Sequence, residues 1–180
     1  MCSVGIVKEV VTARVEPTGP TRRGDTEMRR TAMILAVVAL MVVSSSGVAL
    51  AAYEVSITGT DGEDIISGTG KSEHISGLGG DDRLNGGGGD DLVEGSLDSD
   101  ELGDGSGRDT VHGNGGADNL IGQGGDTSVD RFYGGSGVDT VQSRDIPAVK
   151  DTVECGPGTD TVYADKADVV GDDCEQVDTR

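Results

Sequence analysis

The chain has 180 residues, of which 33 are acidic and 14 basic, for a net charge of −19 at pH 7; 31 are glycine, 2% are aromatic and none is Trp. This acidity excludes a nucleic-acid backbone as partner. The scarcity of large apolar side chains allows only a thin core.

Residues 1–27 carry no hydrophobic pattern and are expected to be an untranslated or disordered extension, because Met28 directly precedes Arg29-Arg30 and makes the better start. Residues 28–51 read as a signal peptide with a helical apolar core. Arg29-Arg30 is its positive region, Ala32 to Val43 its apolar run and Ala49-Leu50-Ala51 its small-residue site, so cleavage is expected before Ala52. The apolar run is too short to span a bilayer with these flanks. A secreted, extracellular chain with no stable membrane insertion after cleavage is therefore expected. Cys2 falls in the discarded part. Removing residues 1–51 leaves eight Lys/Arg and 29 Asp/Glu, a mature net charge of −21.

After a lead-in over 52–58, the chain counts in nines from Gly59 to Val170. Each unit has Gly first, a second Gly at position four, a carboxylate at position six and an aliphatic at position eight, as in GLGGDDRLN from Gly77 or GNGGADNLI from Gly113. Twelve units stay in register, although those ending at Tyr133 and Glu154 are stretched by three residues. The sixth positions hold eleven Asp and Glu73, and every eighth position is apolar.

A short fixed period means one supersecondary unit stacked on itself. Positions seven to nine suit a short strand with its middle side chain inward. The six residues before them suit a glycine-dependent turn. Two units complete one coil, and about six coils at roughly 4.8 Å give a rod of about 29 Å. The expected fold is all-β, a parallel β-roll or β-solenoid over 59–170, with 171–180 as a C-terminal cap.

Burying one aliphatic per unit is worth about 1.5–3 kcal/mol, against about 1–2 kcal/mol per residue for ordering backbone. The turns also stack carboxylates in columns, which repel without a counter-ion. Carboxylates and turn carbonyls form an all-oxygen shell suited to Ca²⁺ rather than Mg²⁺ or Zn²⁺. Uptake of several calcium ions is expected to drive folding of the self-repelling chain.

The units resemble the hemolysin-type calcium-binding repeat, the RTX nonapeptide, with pattern G-G-x-G-x-D-x-U-x; GNGGADNLI and GGSGVDTVQ match it closely. The resemblance implies calcium between turns of units n and n+2, held by sixth-position carboxylates and turn carbonyls. It points to Asp64, Asp82, Asp91, Asp109, Asp118 and Asp139, with Gly62, Gly80, Gly89, Gly107, Gly116 and Gly137 in the turns, and less strongly to Asp100, Asp130 and Asp160. The best matched turn pairs are 59–64 with 77–82, 86–91 with 104–109, and 113–118 with 134–139. Lys71, Glu73 and Asp98 depart from the pattern and weaken their own sites. The ending, with Cys155 in a CGPGTD unit and then Cys174-Glu175, resembles the terminal segment of many secreted repeat proteins and implies a capping disulfide. An even pair of cysteines in an exported chain reads the same way.

Nothing in the sequence resembles a nucleophile elbow or a metalloprotease helix, so no enzyme is expected. His74 and His112 fall on outward strand positions. The leading expectation is a secreted calcium-binding module with a structural or interaction role at or beyond the cell surface. The alternatives are an accessory module of a secreted polysaccharide-active or hydrolytic enzyme, and an adhesin- or toxin-like fragment.

Overall fold

The computed structural model describes residues 55–123 and 127–180, and the backbone of 32–34. In chain order the strands are β1 (Ala32–Ile34), β2 (Val55–Thr58), β3 (Asp64–Ser67), β4 (Glu73–Leu78), β5 (Arg83–Asn85), β6 (Leu92–Ser96), β7 (Glu101–Gly103), β8 (Thr110–Gly116), β9 (Asn119–Ile121), β10 (Arg131–Gly137), β11 (Thr140–Gln142), β12 (Thr152–Glu154), β13 (Thr161–Ala164), β14 (Val169–Val170) and β15 (Gln176–Thr179). The odd strands form an eight-stranded sheet and the even strands a seven-stranded one. Every pairing is parallel and joins a strand to the one two places on. The result is a β-solenoid of about seven turns with no helix among the described residues.

Register follows the eighth position. Ile66, Leu84, Leu102, Leu120, Val141 and Val162 align down the odd sheet. Ile75, Val93, Val111, Phe132 and Val153 align down the even sheet. All eleven are at most 1% exposed, and the two columns meet as one continuous core. Val170, the twelfth, is only partly buried because the roll ends there. The three extra residues of each stretched unit are taken up outside the strands, so Phe132 still pairs with Val111 and with Val153.

The ends differ from the sequence expectation. The roll begins inside the lead-in, since β2 pairs with β4, and β15 of the tail adds a last strand beside β13. Of the expected signal helix only Ala32–Ile34 is described, and it is a strand paired in parallel with Asp64–Ile66. That pairing covers an edge of β3 whose N–H and C=O groups would otherwise be left without partners. The rest of the signal segment and the 1–27 extension lie outside the described residues. No helix among the described residues is long and apolar enough to cross a membrane.

A disulfide joins Cys155 to Cys174 across 19 residues, with Cα atoms 5.2 Å apart. Cys155 lies in the core and Cys174 packs against its rim. Leu102→Ala is expected to cost the calcium-loaded chain about 2–5 kcal/mol, since a fully buried leucine leaves a cavity between two sheets. Cys174→Ala is expected to cost about 3 kcal/mol through the freed loop. Denaturant unfolding measures both.

Candidate metal centres

Position six opens or directly precedes each strand, and its side chain turns inward rather than out toward solvent. Asp64, Asp82, Asp91, Asp100, Asp109, Asp118, Asp130, Asp139, Asp151 and Asp160 are all buried, as is Glu73. Along the odd sheet, the amide of Asp64 donates to Asp82 Oδ1 (2.8 Å), Asp82 to Asp100 (2.8 Å), Asp100 to Asp118 (2.9 Å), Asp118 to Asp139 (2.9 Å) and Asp139 to Asp160 (2.8 Å). Along the even sheet the same bond runs from Glu73 to Asp91 (2.7 Å), Asp91 to Asp109 (2.7 Å), Asp109 to Asp130 (2.8 Å), Asp130 to Asp151 (2.8 Å) and Asp151 to Asp168 (3.0 Å). Two ladders of carboxylate-to-amide bonds thus run the length of the roll. Hydrogen bonds to carboxylates are among the stronger kind.

Each rung uses one carboxylate oxygen. The other, Oδ2, is buried with no hydrogen-bond partner in Asp82, Asp91, Asp100, Asp118, Asp139 and Asp160. In all of these but Asp160, whose unit opens with Cys155, it lies against the first-position glycine of its own unit: a Cβ on Gly86 would come within 2.7 Å of Asp91 Oδ2, and one on Gly134 within 2.7 Å of Asp139 Oδ2. Glycine suits position one because the folded-back carboxylate and a carbonyl of the next coil fill the space a side chain would need.

The turns stack backbone on backbone. Gly137 has φ +147° and a Cβ there would strike the Gly116 carbonyl; Gly80 (φ +96°) abuts Gly62 in the same way. Gly89, Gly107 and Gly116 share this left-handed geometry, whereas Gly62, in the first coil, has nothing within 4 Å of the Cβ position. Four residues adopt positive φ without being glycine, Leu78, Ser96, Asp98 and Asn114. A leucine there costs more than asparagine does.

Burial pushes these acids up. Asp82, Asp91 and Asp118 rise to about 6 and Asp100 to about 7, first because of desolvation and also because of neighbouring carboxylates in the ladder, while the amide bonds pull the other way. Asp139 is raised for the same reasons. A buried oxygen without a donor, on an acid that resists ionising, suits a cation. Among the described residues, no three Asp, Glu, His or Cys groups converge as a metal-holding set. A bound ion would therefore draw on turn carbonyls as well, which calcium accepts readily and zinc does not.

Comparison with known families bears directly on these turns. The family model of the RTX calcium-binding nonapeptide repeat, in four copies, matches residues 67–102, 94–129 and 103–141. Residues 67–141 are RTX calcium-binding repeats. No curated protein and no solved structure matches the chain. The RTX segment contains Asp82, Asp91, Asp100, Asp109, Asp118, Asp130 and Asp139, seven successive rungs of the two ladders.

Several residues of the ladders are not evident from the repeat. Glu175 accepts the Asp160 amide (2.9 Å) and so stands where a further sixth-position carboxylate would be. Asp173 accepts the Gly156 amide (2.7 Å), the role played one coil earlier by the Cys155 carbonyl toward Gly135. The Cys174-Glu175 pair was the only signal for this. Asp104 occupies a first position usually held by glycine; it is buried, accepts from the amides of Gly105 (2.5 Å) and Gln123 (2.8 Å), and is pushed up to about 8, mainly by burial. On the outer face of the even sheet, His74 pairs with Glu94 (2.5 Å) and His112 stacks on Tyr133 at 4.5 Å.

These shifts fix the direction of a pH effect. Acids raised in the folded chain keep protons that the unfolded chain has already released. Folded stability contributed this way is therefore full below about pH 4 and lost as pH rises through 6–8. With chelator present, any β-sheet signal is expected to shrink between pH 5 and pH 8. Calcium is expected to restore that signal more at pH 8 than at pH 5, as far-UV circular dichroism at each pH would show.

Proposed function

We propose that this chain is a secreted calcium-binding β-roll that folds as it takes up calcium and serves, without catalysis, as a structural or interaction module at or beyond the cell surface. The RTX repeats and the β-solenoid support the calcium-binding module. Export rests on the signal features of residues 28–51. The observation that carries the reading is the row of buried Oδ2 atoms without hydrogen-bond partners in successive coils.

The ligands in this reading are the sixth-position carboxylates Asp82, Asp91, Asp109, Asp118 and Asp139, with Asp100, Asp130 and Asp160 completing the columns. Carbonyls of the turns at Gly80, Gly89, Gly107, Gly116 and Gly137 complete the shell. Calcium takes six to eight oxygens in irregular geometry, which a stack of glycine turns can supply. The chemistry is neutralisation: each ion lets buried carboxylates ionise and draws adjacent coils together. Extracellular calcium modules bind at about 0.1–1 mM, so folding is matched to conditions outside the cell. The mature charge of −21 keeps the metal-free chain expanded.

Far-UV circular dichroism of the chain, titrated with calcium and then magnesium, tests this. A disordered spectrum that becomes β-like with calcium alone is expected; no response to calcium would overturn the reading. Asp118→Ala combined with Asp139→Ala is expected to raise the calcium midpoint more than Glu73→Ala does, because the first two have an oxygen without a partner and Glu73 does not.

A further inference from the structure

The first coil places donors on carboxylate oxygens that later coils leave bare. Units one and two both open with Gly-Thr, and none of the ten later units has threonine at its second position. Thr60 donates its amide (2.6 Å) and its hydroxyl (2.9 Å) to Asp64 Oδ2. Thr69 donates its amide (3.0 Å) to Glu73 Oε2 and its hydroxyl to Glu73 Oε1. In Asp82, Asp91, Asp100, Asp118, Asp139 and Asp160 the corresponding Oδ2 has no donor, whereas in Asp64 it is Oδ1, the oxygen that takes the rung amide in later coils, that is buried without one. Two independent units thus make the same substitution at the same place, the start of both ladders. The turns agree with this position: Cβ atoms at Gly62 and Gly70 would meet nothing within 4 Å, whereas those of the next coil would strike backbone.

We propose that Thr60 and Thr69 are an amino-terminal cap that takes the place of calcium in the first coil. A rung carboxylate needs something for its second oxygen. Inside the roll a cation between stacked turns supplies it. Among the described residues no glycine turn precedes the first unit to complete a shell, and a threonine hydroxyl with its own amide supplies two donors from within the unit, as side-chain oxygens and amides do at helix ends and turns. The longer Glu73 spreads both oxygens over Thr69, so a residue that breaks the Asp pattern fits the cap. Calcium uptake then begins with the turns of Asp82 and Asp91, not with Asp64. The proposal rests on the reading of sixth-position carboxylates as calcium ligands.

The test is calcium stoichiometry of the full chain by isothermal titration calorimetry, together with thermal midpoints at saturating calcium. Asp64→Asn with Glu73→Gln is expected to bind as many ions as the unaltered chain, whereas Asp118→Asn loses at least one. Thr60→Val with Thr69→Val is expected to keep the ion count and lower the midpoint by several degrees, and Thr60→Ser with Thr69→Ser to recover it. Loss of ions from Asp64→Asn with Glu73→Gln equal to that from Asp118→Asn overturns the proposal, as does an unchanged midpoint in the valine pair. If Asp118→Asn loses no ion, the ligand assignment itself fails, and the valine and serine midpoints still decide the cap.

Discussion

Everything in this roll depends on a hydrogen bond that spans one coil. The carboxylate at position six accepts the amide of the equivalent residue in the coil before it, at 2.7–3.0 Å along both edges. That bond fixes the spacing of coils, draws the acid inward and leaves one oxygen buried. The core adds one aliphatic per unit and is thin. Cohesion and electrostatic cost therefore arise in the same residues. An acid that holds two coils together is also an acid that water cannot solvate, and burying it without full compensation is unfavourable. A proton or a divalent cation resolves this, and only the cation does so at neutral pH while keeping the carboxylate charged.

Stacked repeats need ends that differ from their middle. Here the two ends use different chemistry. At the start, threonines supply donors to the carboxylates of the first two repeat units. At the finish, Asp173 and Glu175 supply acceptors to amides that have no later coil, and the Cys155–Cys174 bond holds that segment against the last turn. Donors are provided where acceptors are left over, and acceptors where donors are left over. A parallel coil has a direction, so its two ends are left with opposite needs.

The stretched units show which part of the period is obligatory. Bonds between coils span 18 residues early in the roll and 21 where a three-residue insertion intervenes, yet the ladder distances do not change. Strand register and carboxylate placement are conserved, and the turn absorbs the difference. Phe132 stands in the eighth-position column among valines and remains buried.

The sequence by itself determined the fold class, the inward column of aliphatics and the placement of one carboxylate and one tight turn per unit, because a nine-residue period repeats each local requirement twelve times. It also marked Cys155 and Cys174 as a pair. Lys71, Glu73 and Asp98 read as weak points, and for Glu73 the structure adds the reason: Thr69 already uses both its oxygens. What the sequence could not show is that position six faces inward and bonds to an amide one coil earlier, that Glu175 continues the ladder, or that Asp104 is buried at a glycine position. Those facts join residues 15–21 positions apart, and a repeat pattern specifies what each unit contains without specifying what the neighbouring coil presents to it. Only the stacking decided them, through the parallel register that sets each carboxylate beside the amide of the coil before it.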